Sequence, residues 1–143
     1  MLVRSLLKDK GGEVFTVSPD ISVLEAAREL REKRIGAVIV CDAQNNLVGV
    51  LSERDIVRSL AEQGEAALKG SVADLMTQDV KTCGLDDSID GIMGLMTGRR
   101  FRHVPVMDAG KLVGIVSIGD VVKHKIAEAE LEAQSLKDYI ATG

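Results

Sequence analysis

Residues 102–120 read RHVPVMDAGKLVGIVSIGD. The stretch predicts a β-hairpin, because two apolar, β-branched runs flank the turn-forming residues 108–111. A helix is expected to begin at the end of the second run, where Ser117 and Asp120 are three positions apart. A basic cluster precedes the first run, so both ends of the hairpin carry groups suited to a phosphorylated ligand.

The same layout occurs earlier in the chain. Residues 47–55 read LVGVLSERD and correspond almost position by position to LVGIVSIGD at residues 112–120. Each hairpin is preceded by a predicted helix with one apolar face, at i, i+3, i+4 and i+7. These faces consist of Val23, Ala26, Ala27 and Leu30 in the first copy and of Ile89, Ile92, Met93 and Met96 in the second. Coincidence does not produce such an ordered match, so the chain contains an internal repeat.

Each repeat is predicted to follow the order β-α-β-β-α. The first strands are expected at residues 14–17 and 80–83, and residues 63–70 read as a polar, glycine-punctuated linker. A single unit of this size buries too little surface to be stable alone. Two units are therefore expected to pack about a pseudo-twofold axis in an α/β (α+β) fold, which leaves two related clefts between them.

The predicted organisation has three parts. Residues 1–70 hold the first repeat with a short helical arm and a linker, residues 71–127 hold the second repeat, and residues 128–143 form a C-terminal helical extension. The tail carries a heptad seam, which consists of Val122, Ile126, Ala129, Ala133, Leu136 and Ile140. Because this seam is too short for an isolated coiled coil, it is expected to pack on its own module or on a second subunit.

The bulk composition narrows the classes of function. The net charge of −4 disfavours a dedicated nucleic-acid binder, which usually has a basic domain. Cys41 and Cys83 match no metal spacing or disulfide framework and are interpreted as free core thiols. The sequence shows neither an apolar run of about 18 residues nor a signal peptide, so a cytoplasmic protein is expected. It also contains no nucleophile elbow, P-loop or zinc-helix motif, so neither an enzyme nor a metal site is expected.

The pairs Ser52 with Asp55 and Ser117 with Asp120 have two interpretations. A serine at the N-cap with an acid at N3 is typical of a capping box. The same geometry is also suited to a nucleotide, because a helix N-terminus attracts phosphate and a carboxylate accepts hydrogen bonds from both ribose hydroxyls. In that case the carboxylate should face the sugar.

Residues 99–103 form the densest positive charge in this acidic chain. They have two interpretations: a solvated helix end, or phosphate ligands through Arg100 or Arg102, with His103 near the base or the phosphate. Arg54 lies at a helix start, where a structural cation is unfavourable, which favours an anionic partner. Thr16 and Thr82 occupy matched positions in the first strand of each repeat. Their β-propensity explains either one alone, but the match also places both near a cleft.

This doubled pattern resembles a tandem pair of cystathionine-β-synthase (CBS) domains, a Bateman module. The resemblance rests on residues 34–40 and 101–106, and on the motifs at 49–55 and 114–120, and it covers about residues 12–127. It implies a regulatory module whose clefts bind AMP, ADP, ATP, NAD(H) or S-adenosylmethionine. It also implies that Asp55 and Asp120 hold the ribose diol and that Ser52 and Ser117 hold the phosphate.

The resemblance further implies purine contacts from the backbone of each cleft. They would come from Thr16, Ile35, Gly36 and Ala37 in one cleft and from Thr82, Arg102, His103, Val104 and Pro105 in the other. Members of this family commonly pair into flat dimers. No enzyme or transporter domain is fused within this sequence, so the regulated protein is expected to be another chain.

Three hypotheses follow. The first is a stand-alone adenine-nucleotide sensor that works as a homodimer, with AMP as the first candidate ligand and ATP or NAD as alternatives. The second is a scaffolding homodimer with empty clefts that binds a partner through the C-terminal helix. The third, a nucleic-acid binder using residues 99–103, conflicts with the acidic balance of the chain.

Overall fold

The computed structural model describes residues 1–99 and 101–142. Helices and strands occur in the following order along the chain: α1 (Val3–Lys10), β1 (Thr16–Val17), α2 (Val23–Lys33), β2 (Ala37–Cys41), β3 (Leu47–Ser52), α3 (Glu53–Gln63), α4 (Ala66–Lys69), α5 (Val72–Leu75), α6 (Ile89–Arg99), β4 (His103–Asp108), β5 (Lys111–Ser117) and α7 (Ile118–Thr142). The predicted mixed α/β class and the C-terminal helix are confirmed.

Both predicted hairpins are present. In the first repeat β1 pairs parallel with β2, and β2 pairs antiparallel with β3. In the second repeat β4 and β5 form an antiparallel hairpin whose register opposes His103 to Ser117. The β2 side chains are all buried, as expected for a continuous apolar run. The two predicted helix faces are largely buried, through Val23, Ala26 and Leu30 on α2 and Ile89, Ile92 and Met96 on α6. Ala27 is half-buried, whereas Met93, which was predicted on the second face, is 38% exposed.

The strand predicted at residues 80–83 is wrong. That segment forms a single parallel bridge between Cys83 and Val106, in which Cys83 N donates to Pro105 O at 3.0 Å and Met107 N to Cys83 O at 2.8 Å. The physical reason is that Cys83 is the buried residue of this segment while Thr82 is exposed, so little apolar surface favours a longer ladder. The second repeat therefore has the order α-β-β-α.

The linker predicted at residues 63–70 is more ordered than its composition suggests. Residues Ala66–Lys69 form the short helix α4. Ala67 is buried and Leu68 packs against the core of the first repeat. Burial of these two apolar side chains, between Gly64 and Gly70, offsets the weak helix signal of so short a segment.

Helix α1 and helix α5 are exchanged between the repeats. Val3, Leu6 and Leu7 of α1 pack in the core of the second repeat, whereas Val72 of α5 packs in the core of the first. Matching backbone hydrogen bonds hold the two segments: Val3 N to Asp87 O and Arg4 N to Leu85 O, each at 2.9 Å, and Val72 N to Ile21 O at 2.9 Å and Ala73 N to Pro19 O at 3.0 Å. Each repeat therefore depends on a segment that precedes the other one.

Helix α7 continues without a break from the second repeat into the predicted extension. It has 25 residues and is about 37 Å long. Val121 in its first turn is buried, whereas residues 129–142 are exposed. None of the helices in the described residues is long and apolar enough to span a membrane.

Candidate functional site

A cavity of about 480 Å³ lies between the two repeats, at the start of α3. We call it the Asp55 cleft. It is lined by Gly36, Val50, Ser52, Glu53, Arg54, Asp55, Arg58, Thr77, Val80, Lys81, Arg99, Phe101, Arg102, His103 and Ile118. The first repeat supplies the Ser-x-x-Asp motif, and the second repeat supplies the opposite wall.

The local geometry of the motif is a capping box. Asp55 Oδ2 accepts hydrogen bonds from Ser52 N at 2.9 Å and from Ser52 Oγ at 3.1 Å, and Ser52 Oγ in turn accepts from Asp55 N at 3.3 Å. Among the described residues, the cation nearest to the other carboxylate oxygen, Asp55 Oδ1, is the exposed Arg58, at 3.9 Å. The cap therefore fixes the carboxylate without using Oδ1, which is available to a hydroxyl donor.

The cleft concentrates positive charge in an acidic protein. Its lining includes the basic side chains Arg54, Arg58, Lys81, Arg99 and Arg102. The opposing charges in the lining are those of Asp55 and Glu53, on the first turn of α3. Low-dielectric walls strengthen the field of grouped charges, so this cleft favours an anionic ligand.

His103 opens strand β4 and forms part of the cleft wall. Burial lowers the pKa of its imidazole below the ordinary value, and the nearby charge of Lys10 lowers it further. The neutral ring at pH 7 can both donate and accept a hydrogen bond. It is therefore suited to the edge of a purine base rather than to a phosphate.

The second motif has different surroundings. Asp120 Oδ2 accepts from Ser117 N at 2.8 Å and from Lys10 Nζ at 2.5 Å, and Lys10 Nζ also donates to Ile115 O at 2.7 Å. Burial opposes ionisation of the Asp120 carboxyl, but the hydrogen bonds from Lys10 and Ser117 outweigh it and lower the pKa of the group. The arm α1 thus brings a cation to the second motif.

The structure brings some of the predicted site residues together in the Asp55 cleft. These are Gly36, Ser52, Arg54, Asp55, Arg102 and His103. Arg102 and His103 were expected in the other cleft, but the packing of the two repeats places them opposite Asp55. Ser117 and Asp120 lie together at the start of α7. Ala37, Val104 and Pro105 are buried within the strands, and Ile35 packs against the first core. Thr16 and Thr82 are exposed, and Arg100 lies outside the described residues.

Sequence reasoning missed several residues around these sites. Thr77, Val80 and Lys81 line the Asp55 cleft because the segment after α5 runs along it, where Val50 and Thr77 form an antiparallel bridge. The sequence did offer a signal for this segment, because Thr82, which directly follows it, was predicted to lie near a cleft. Lys10 carried no signal, because its partner Asp120 is 110 positions away.

A family model described as the CBS domain matches the chain twice, at residues 4–62 and 72–127. A solved structure of a CBS-domain containing protein from Agrobacterium tumefaciens is 49% identical and superposes with a TM-score of 0.85, over 87% of this chain and 92% of that one. The mitochondrial CBS domain-containing protein CBSX3 of Arabidopsis thaliana is 33% identical over 99% of this chain. The chain spans 72% of the length of CBSX3 and 66% of the length of another curated relative, from Acidianus ambivalens.

Two similar structures contain adenosyl compounds. The CBS domain pair of protein MJ0100, in complex with 5′-methylthioadenosine and S-adenosyl-L-methionine, is 27% identical with a TM-score of 0.80, over 90% of this chain and 98% of that one. CBSX2, in complex with AMP, is 28% identical with a TM-score of 0.72, over 82% of this chain and 91% of that one.

Proposed function

Because the chain belongs to the CBS-domain family, as a tandem pair of CBS domains, we propose that it is a regulatory module that binds an adenosyl ligand in the Asp55 cleft. The observation that carries this proposal is the position of the Ser52–Asp55 cap in a cavity of about 480 Å³ between the repeats, beside basic side chains. The complexes of two relatives with adenosyl compounds support the ligand class.

The residues of the cleft divide into three roles. In the proposed complex Asp55 accepts hydrogen bonds from the ribose hydroxyls through Oδ1. Arg54 and Arg102 bind the phosphate, since guanidinium groups match phosphate oxygens in charge and geometry. The apolar lining formed by Val80 and Phe101 packs against the base. The proposed activity is binding, and no step of it requires a catalytic group.

The charge of the cleft favours a phosphorylated ligand over S-adenosylmethionine. S-adenosylmethionine carries a positive sulfonium centre, which the neighbouring arginines would repel. AMP, by contrast, places a dianion where the basic side chains converge. We therefore keep AMP as the first candidate, with ATP or NAD as alternatives.

The regulated protein is proposed to be another chain, which reads a change in how the repeats or subunits pack. Such coupling is limited by the difference in ligand affinity between the two packing states. The cytoplasmic location expected from the sequence stays a prediction.

The heptad seam of α7 is proposed to pair with α7 of a second copy. Val122, Ile126, Leu136 and Ile140 are all half or more exposed. Their a/d spacing is the pattern by which one helix pairs with another of the same kind. This exposed seam also favours the second hypothesis, a scaffolding homodimer with empty clefts.

A thermal-shift panel separates the sensor from the scaffold. The wild type and Asp55→Ala are heated with AMP, ADP, ATP, NAD, NADH and S-adenosylmethionine. A ligand at 100 times its Kd adds about 2.7 kcal/mol to the free energy of unfolding, which raises the Tm by several degrees. A shift that Asp55→Ala loses supports the sensor and names its ligand, whereas no shift with any compound would favour the scaffold.

A further inference from the structure

We propose that Lys10 occupies the second Ser-x-x-Asp site in the free protein, so that the two related sites are unequal and the first adenosyl ligand binds at Asp55 alone. This inference rests on the proposed function. It adds a residue that decides which site the ligand selects.

The Lys10 ammonium is bonded to the carboxylate that would hold a ribose at the second site. It donates to Asp120 Oδ2 at 2.5 Å and to Ile115 O at 2.7 Å. The same Oδ2 also accepts the backbone amide of Ser117 at 2.8 Å. The two charged side chains are only partly buried, with relative exposures of 31% for Lys10 and 21% for Asp120. A partly buried pair of this kind is screened less by salt than an exposed one.

The position of Lys10 is set by the fold. It is the last residue of α1, and the same helix buries Leu6 and Leu7 in the core of the second repeat. After Lys10 the chain turns at Gly11, whose φ of 96° is a conformation that side chains rarely adopt. Because the C-terminal end of α1 is anchored in this core, the Lys10 ammonium is held beside Asp120.

The Asp55 cleft lacks such a contact among the described residues. Lys81 lines that cleft, but its nearest acidic partner is Asp79, with Nζ 3.9 Å from Asp79 Oδ1. Arg58 is no closer than 3.9 Å to Asp55 and its side chain is 70% exposed. Two related carboxylates in one chain thus have different partners, and only Asp120 is neutralised at hydrogen-bond distance.

This difference in partners predicts that the two sites differ in their affinity for a ribose. A ribose hydroxyl is a neutral donor, and at Asp120 it would share a carboxylate that already accepts a charge-assisted hydrogen bond, which is roughly twice as strong as a neutral one. Among the described residues, the ribose meets no such competitor at Asp55. The second site is therefore expected to bind the ribose more weakly while the Lys10 ammonium neutralises the carboxylate.

Calorimetric titration with AMP tests the ranking. The proteins are the wild type, Lys10→Met, which keeps the aliphatic stem and removes the charge, and Lys8→Met, a control exposed on the same helix. We expect one AMP per chain for the wild type and for Lys8→Met. We expect a second site in Lys10→Met, with its affinity raised by about tenfold or more. Two equal sites in the wild type, or an unchanged single site or weaker binding in Lys10→Met, would overturn the inference.

A second measurement needs no ligand. The titration of the Asp120 carboxyl is followed by carbon NMR in the wild type and in Lys10→Met, after urea unfolding has shown that both proteins are folded. The pKa of Asp120 should rise in Lys10→Met, and an equal pKa in the two proteins would show that the pair does not form. If the pKa rises but no protein binds AMP, the pair exists and the proposed function itself fails.

Discussion

Leu7 packs directly on the backbone of Gly114, with Cδ2 only 2.7 Å from the point where a Cβ at residue 114 would stand. Met76 has the same relationship to Gly49, where the corresponding distance from Sδ is 2.6 Å. Each contact joins the segment that precedes one repeat to the hairpin of the other repeat. Close packing on these two glycines therefore fixes the exchanged segments in place. These contacts hold the two repeats against each other.

Gly114→Ala should therefore destabilise the protein. The added methyl group overlaps Leu7, and overpacking of a core costs about 1–3 kcal/mol in free energy of unfolding. Gly94→Ala in α6 is the matched control, since a Cβ there meets nothing within 4 Å. The control should stabilise the helix by about 0.5–1 kcal/mol. Urea unfolding measures both, and equal stabilities of the two variants would refute the packing.

His103 should make stability depend on pH below about 6.5, the ordinary pKa of histidine. Because burial and Lys10 lower its pKa in the folded protein, the unfolded chain binds more protons in this range. The free energy of unfolding therefore falls as the pH falls from 6.5 through the folded pKa. His103→Gln should show a flatter profile in urea unfolding across this range. Identical slopes for the two proteins would show that His103 is not buried as described.

Both cysteines should resist thiol reagents in the folded protein. Cys41 and Cys83 are free and buried. Burial, with a further contribution from Asp87, raises the pKa of the Cys83 thiol to about 11, and burial also raises that of Cys41. Since the thiolate is the reactive form, labelling by a disulfide reagent at pH 8 should be slow in buffer and rapid in urea. Rapid labelling in buffer would mean that the core opens readily.

The seam of α7 should determine the oligomeric state. Leu136→Glu with Ile140→Glu places charges on the proposed helix pair, so light scattering coupled to size exclusion should show a dimer for the wild type and a monomer for the variant. Leu131→Glu is the control, because Leu131 is 69% exposed on the same helix but lies outside the seam. A wild-type monomer, or a dimer that survives the double substitution, would remove the proposed pairing.

Sequence reasoning predicted the elements whose signals are local. Repeated helix faces, the two hairpins and the two Ser-x-x-Asp caps all follow from periodicity and capping chemistry within short segments. The prediction of a strand at residues 80–83 failed because strand-forming residue types do not show how much of a segment will be buried. In the structure the segment is held by a single bridge at Cys83.

The long-range relationships were beyond such reasoning. The apolar residues Val3, Leu6 and Leu7 indicate a face that must be covered, but their spacing does not say which repeat covers it. The Asp55 cleft likewise joins Ser52 and Asp55 with Arg102 and His103 of the other repeat. A list of residues within one repeat cannot show that juxtaposition, which depends on how the two repeats pack.

The most direct test of the central claim is the affinity for AMP of the wild type, Asp55→Ala and Asp74→Ala. Asp74 is the matched control, since it caps α5 through Ser71 N in the same way as Asp55 caps α3. We expect the wild type and Asp74→Ala to bind AMP equally, and Asp55→Ala to bind more weakly by roughly 1.5–3 kcal/mol, the range for a hydrogen bond to a charged group. Equal affinity of the wild type and Asp55→Ala would contradict the assignment of the cleft, and no binding by the wild type would contradict AMP as its ligand.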